Sequence, residues 1–231
     1  MTLLDKYLAG HSEAVYDQIY SLGAGAFEPE EFKEIDEVLN ETFKRAQFNL
    51  TTIYEKLRTV DYKFLADTYE DPYDKPLVLP NDHYEDLINE LERKVTPYYI
   101  PVSLKYFYKY IGACDFTWDW KRKPDIPWEG ADPIVIPSIN YLVEGLEEGS
   151  YQDELALCPD NLQKDNVSGD SYYLELGSSP IIDSVISGYN LKFIEYLRLT
   201  FLNCGFSAAN ECDSKSLREF CQDIKRRLLP V

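Results

Sequence analysis

The chain has 231 residues, 45% of them hydrophobic, with 41 acidic against 23 basic side chains and a net charge of −18. That length and apolar content sustain a packed core and exclude disorder as the resting state. So acidic a surface repels phosphate backbones and anionic lipids, so neither nucleic acid nor a membrane is expected as a partner, whereas a basic protein would be drawn in faster. Charge of this kind also serves solubility alone.

Five cysteines, Cys114, Cys158, Cys204, Cys212 and Cys221, include no CxxC pair, a pattern that suits reduced, mostly buried thiols in a cytoplasmic protein. The opening MTLLDKYLAGHSEAVYDQ lacks the apolar core of a signal peptide, and no run approaches a membrane span. The sequons at Asn40, Asn49 and Asn166 then read as chance matches.

In chain order, Ala14, Val15, Ile19 and Leu22 predict a helix opened by Ser12 and stopped at Gly23 and Gly25. From Pro29 to about Val60, apolar residues recur at three- and four-residue steps, including Ile35, Val38, Leu39, Phe43, Ala46, Leu50, Ile53 and Leu57. This predicts one helix about 45 Å long, with acids in its first turns where the helix dipole favours them. Residues 66–82, ADTYEDPYDKPLVLPND, carry three prolines and read as a linker or ordered surface loop. A short amphipathic helix follows, with Tyr84, Leu87, Ile88, Leu91 and Val95 on one face and Asn81 or Asp82 as its cap. Ser103 is placed to cap the next helix, which carries Leu104, Phe107, Tyr108 and Ile111 and ends at Gly112.

The texture then changes. Residues 114–118 alternate like a strand, and residues 132–137, DPIVIP, read as a short buried one. ELALCPD at 154–160 is a further strand, and SYYLELG and PIIDSVI, within 171–186, read as a pair joined by Gly177, Ser178 and Ser179. Three helices are interspersed. Ser138 caps INYLVEGLEEG, Asn190 caps LKFIEYLRLTFLN, and the last runs from Ser214 with Leu217, Phe220, Cys221, Ile224 and Leu228 in one stripe. Short links between strands predict an α+β fold, a mostly antiparallel sheet wrapped by helices behind an N-terminal helical segment. The natural division is a helical segment, residues 1–65, and an α+β domain, residues 66–231, the two able to pack as one unit.

Reaction chemistry is hard to find. No GxSxG, HExxH, P-loop or GxGxxG occurs, and His11 and His83 stand far from every cysteine. No metal or cofactor is expected. Residues 158–173 are rich in Asp, Asn and Gly but lack the acid spacing of a calcium loop, so they read as a polar turn. Cys114 or Cys158 as a nucleophile would need a histidine partner.

Two stretches suit binding instead. FTWDWKRKPDIPWEG, residues 116–130, holds all three tryptophans and the basic run Lys121, Arg122 and Lys123. Phe116 and Trp118 continue a strand inward, and the rest reads as an exposed loop that offers Trp120, Trp128, Lys121 and Arg122 to a partner. Lys121 and Arg122 can also lie over a tryptophan face. ADTYEDPYD, residues 66–74, sets Tyr69 and Tyr73 among acids that include Asp71 and Asp74, aromatic anchors within a charged rim.

PVSLKYFYKYIGACDF at 101–116, followed after the tryptophan loop by ADPIVIPSINYLVE at 131–144, resembles the SUKH superfamily, which includes bacterial toxin-immunity proteins and a yeast regulator of cell-wall synthesis. Pro101, Leu104, Phe107, Tyr108, Ile111 and Gly112 match its proline-led helix ending in glycine, and Asp132, Pro133, Ile134, Val135 and Ile136 match a strand of one bacterial subgroup. Segments 41–64, 155–176 and 193–206 are similar to that subgroup's helical leader and later elements. Alanine follows Gly112 where many members carry a second glycine. The resemblance implies an α+β domain without catalytic residues that neutralises a toxin by binding it, and an acidic inhibitor suits a basic toxin domain. Two other readings compete: an enzyme with a carboxylate or cysteine site in a cleft, and a regulatory interaction module unrelated to toxins.

Overall fold

The computed structural model of the protein describes residues 1–80, 82–146 and 153–231. Thr2 opens helix α1 (Leu3–Leu8) by accepting from the Asp5 N–H while the Asp5 carboxylate accepts from the Thr2 N–H, a reciprocal cap that satisfies two otherwise orphaned donors. Helix α2 (Ser12–Ser21) has His11 at its N-cap and no side-chain cap, so Ser12 is a helical residue and not the expected cap. A 3₁₀ turn, Gly23–Phe27, leads to the long helix α3 (Pro29–Thr59). Its 31 residues span about 46 Å, as the apolar period predicts. The buried stripe of α3 includes Thr42, Asn49 and Thr52, and the two most deeply buried have partners. The Thr42 hydroxyl pairs with the Tyr16 hydroxyl at 2.7 Å, and Asn49 both donates to and accepts from the Leu229 backbone at 2.8 Å.

Two antiparallel sheets follow. The first has the order β1 (Leu77–Val78), β2 (Ala113–Asp115), β3 (Val135–Ile136), and the second β4 (Glu154–Pro159), β5 (Ser171–Glu175), β6 (Val185–Ile186), β7 (Leu191–Lys192). Strands β3 and β4 are neighbours but share no ladder. Helices α4 (Tyr84–Val95), α5 (Val102–Tyr110), α6 (Ile139–Gly145), α7 (Asn161–Lys164), α8 (Phe193–Leu202) and α9 (Lys215–Ile224) pack around them. This is the α+β architecture expected, with antiparallel pairing throughout the described ladders. One hydrophobic core runs from Leu3 to Val231. The Phe193 ring of α8 lies 6.4 Å from Phe43 on α3 and 5.7 Å from Phe107 on α5, so N-terminal helix and later helices meet in that core. Among the described residues no helix is long and apolar enough to cross a membrane.

Several local expectations need correction. Ser103 lies inside α5 and donates to Asp183 Oδ1 at 2.7 Å. The first N–H groups of α5 donate instead to the carbonyls of Ile181 and Ile182, at 3.0 and 2.8 Å. The segment expected as a strand at 180–186 is therefore mostly a loop that caps α5, with only β6 regular. Asn190 sits at φ 54 in the turn before β7 and caps nothing; Lys192 precedes α8, its N–H held by the Glu195 carboxylate. Helix α4 starts after His83 without a side-chain cap, and of its two expected caps Asn81 lies outside the described residues. Ser138 and Ser214 do cap α6 and α9, accepting from Tyr141 N and Leu217 N. The expected extension of α6 beyond residue 146 falls outside the described residues, and the proline-rich loop contains strand β1.

Candidate functional site: an acidic, tyrosine-rimmed cleft

Alternation along β2 and β3 sorts their side chains onto two faces. Cys114 and Ile136 are cross-strand partners, both fully buried in the core. Asp115 and Val135, the next pair, point to the opposite face. There they line a cleft of ≈ 350 Å³, floored also by Ala113 and by Ala156 and Cys158 of β4. One wall comes from the loop before β1, which supplies Tyr69, Tyr73, Asp74 and Lys75, and Tyr141 of α6 supplies another. Tyr141 is 61% and Tyr73 39% exposed.

The loop is held in place by its backbone. β1 pairs with β2, Leu77 opposite Cys114 and Val78 opposite Ala113, and the Gly112 N–H donates to the Val78 carbonyl at 2.8 Å. The Lys75 ammonium donates to the Tyr69 carbonyl, and Asp71 Oδ1 accepts from the Tyr73 N–H at 2.8 Å. The Lys121 ammonium lies 5.6 Å from the Tyr69 ring and equally far from the Trp120 ring, so the two candidate stretches meet here.

The remaining candidates divide. Trp120 is half-buried and packs against the core edge. Arg122 is exposed, its Nε 3.6 Å from the buried Asp119 carboxylate rather than over a tryptophan. Trp128 does not belong to an exposed loop surface. It is 7% exposed, its ring packs against Tyr62, Phe206 and Phe220, and its Nε1–H donates to Ser216 Oγ at 2.9 Å. An indole whose one donor is satisfied indoors is core, which takes Trp128 out of the exposed loop.

Two carboxylates, Asp74 and Asp115, and one ammonium, Lys75, line the cleft. Asp115 Oδ1 accepts from the Thr117 N–H at 2.9 Å. Among the described residues no basic side chain forms an ion pair with Asp115 or Asp74. Burial raises both carboxyls above the usual range, and for Asp74 the charges of Asp71 and Glu144 push the same way. Burial also raises the Cys158 thiol to about 11 and the Cys114 thiol further up. Among the described residues no histidine lines the cleft. Among the described residues no group of three or more His, Cys, Asp or Glu side chains is arranged to hold a metal ion.

Asp115 and Tyr141 are site residues that sequence reasoning did not select, and Cys158 was weighed there only as a nucleophile. The strand parity of Asp115 against Cys114 was the one local signal for it. A second polar cluster lies nearby and is internal: the fully buried Lys164 donates to Asp132 Oδ1 at 2.6 Å, and the other Asp132 oxygen accepts from the Tyr189 and Ser207 hydroxyls.

No protein-family model, curated protein or solved structure matches the chain. The geometry of the cleft and the charge around it therefore carry the functional argument.

Proposed function

We propose that the protein is a non-enzymatic binding domain that neutralises a basic protein partner, a toxin domain, by direct contact. The observation that carries this is the convergence of Tyr69, Tyr73 and Tyr141 with the carboxylates of Asp74 and Asp115 on one cleft, in a chain of net charge −18. Half-exposed tyrosines supply rigid contact area at low entropic cost, and an acidic field steers a basic partner toward them. The SUKH-like pattern at residues 101–136 supports the same function and belongs to the elements that build the cleft floor.

The enzymatic alternative draws on the same cleft, since Asp74, Asp115 and Cys158 share it with shifted proton affinities. A thiol at about 11 with no histidine in the lining is a poor nucleophile at neutral pH, however. The binding function is the better fit. It is tested by co-expressing the chain with the product of its neighbouring gene and measuring growth, then measuring complex formation between the purified proteins by calorimetry. Protection with a stoichiometric complex is expected. Absence of both overturns the proposal.

A further inference from the structure

We propose that the cleft receives the cationic side chain of a lysine or arginine from the basic partner, its charge above Asp115 and its aliphatic stem along Val135, Ala113 and Ala156. This rests on the binding function proposed above and names the group that the site recognises.

The cleft is divided as such a side chain is. Its floor is apolar at Ala113, Val135 and Ala156, and one carboxylate, Asp115, stands among them. A lysine or arginine likewise joins an apolar stem to a charged head. The rim adds exposed tyrosine faces at Tyr73 and Tyr141, and cations are attracted to such faces. The protein already uses this contact beside the cleft, where Lys121 lies 5.6 Å from the Tyr69 ring.

Among the described residues no cation fills the place. Lys75, the one basic residue in the lining, is turned to the Tyr69 carbonyl. Lys164, beneath β4, is bound to Asp132. Asp115 is bonded through Oδ1 to Thr117, and burial disfavours the charged form of its half-buried carboxyl. A carboxyl whose charged form is disfavoured by burial and that lines a cleft is typical of functional sites.

The test uses the full ¹⁵N-labelled chain, titrated by NMR with Nα-acetyl-lysine methylamide and Nα-acetyl-arginine methylamide. The uncharged norleucine and citrulline analogues serve as controls. The cationic probes are expected to give saturable shifts at the amides of Ala113, Asp115, Ala156 and Cys158. Asp115→Asn is expected to weaken them about tenfold, with a smaller loss for Tyr141→Ser on the surface. Asp17→Asn removes the same charge from α2, outside the cleft, and is expected to change nothing. Equal shifts with norleucine or citrulline, or equal losses for D115N and D17N, overturn the inference. So does a toxin partner that binds D115N as tightly as the unaltered chain, an outcome that leaves the binding function itself standing. Saturable cation binding at the cleft without any toxin complex would overturn the binding function and leave the cation site.

Discussion

Lys164 is a fully buried cation whose ammonium reaches Asp132 at 2.6 Å, while Asp132 itself is held at φ 55 and accepts from Tyr189. Removing one partner of such a pair strands the other charge in the interior. Lys164→Met is therefore expected to cost about 3–5 kcal/mol, and K164M combined with Asp132→Asn distinctly less; urea unfolding of the two variants checks this. Asp115 makes the opposite case. Its folded proton affinity is raised by burial, so the folded state binds that proton more tightly than the unfolded chain. The ionised carboxylate thus opposes folding above its folded pKa, and the penalty disappears as pH falls toward the unfolded value of about 3.9. Asp115→Asn preserves the oxygen that accepts from Thr117. It is expected to be more stable than the unaltered chain at pH 7.5, with the gap narrowing toward pH 4, as urea midpoints across that range would show.

At the scale of elements, Gly112 links the end of α5 to the loop that walls the cleft. A Cβ at this position would stand 2.3 Å from the Leu79 carbonyl oxygen and 2.9 Å from its carbon. Those atoms are backbone and cannot rotate aside, so β1 must move. Gly112→Ala is expected to destabilise by about 1–3 kcal/mol and to shift the amide resonances of Leu77 and Val78, which denaturation and NMR would measure. The contrast among helix caps has a related cause. Ser138 and Ser214 cap their helices through their own third residue, a local bond that sequence spacing contains. Helix α5 meets the carbonyls of residues 181 and 182 from a distant loop, which frees Ser103 to serve Asp183. Where tertiary structure supplies the acceptor, the local cap is redundant and its spacing misleads.

For the whole molecule, the surplus of acids acts on encounter more than on residence. Charges on the rim, such as Asp71 and Asp74, are solvent-exposed and are screened as the Debye length shrinks from ~10 Å at 0.1 M salt to ~3 Å at 1 M. Association with a basic partner is expected to slow steeply over that range while dissociation changes little. Stopped-flow kinetics against salt would test this, and a salt-independent association rate would contradict electrostatic steering.

The sequence by itself determined what depends on local period and local bonds. The spacing of apolar residues is enough to place α3, α9 and strands β4 and β5, and the short links between strands are enough for the α+β class, because a helix or strand face repeats every few residues. What joins distant residues was decided by the tertiary structure alone. Lys164 meets Asp132 across 32 residues and Trp128 meets Ser216 across 88, so a lysine in a polar turn became core, and so did a tryptophan in a loop. The cleft is of the same kind: one wall, Tyr69 and Tyr73 among acids, was legible, but Tyr141 and the floor are set by which elements lie beside one another. Side chains brought together from separate strands leave no periodic trace in the chain, and for that reason Asp115 emerged as a site residue only once β2, β3 and β4 were placed.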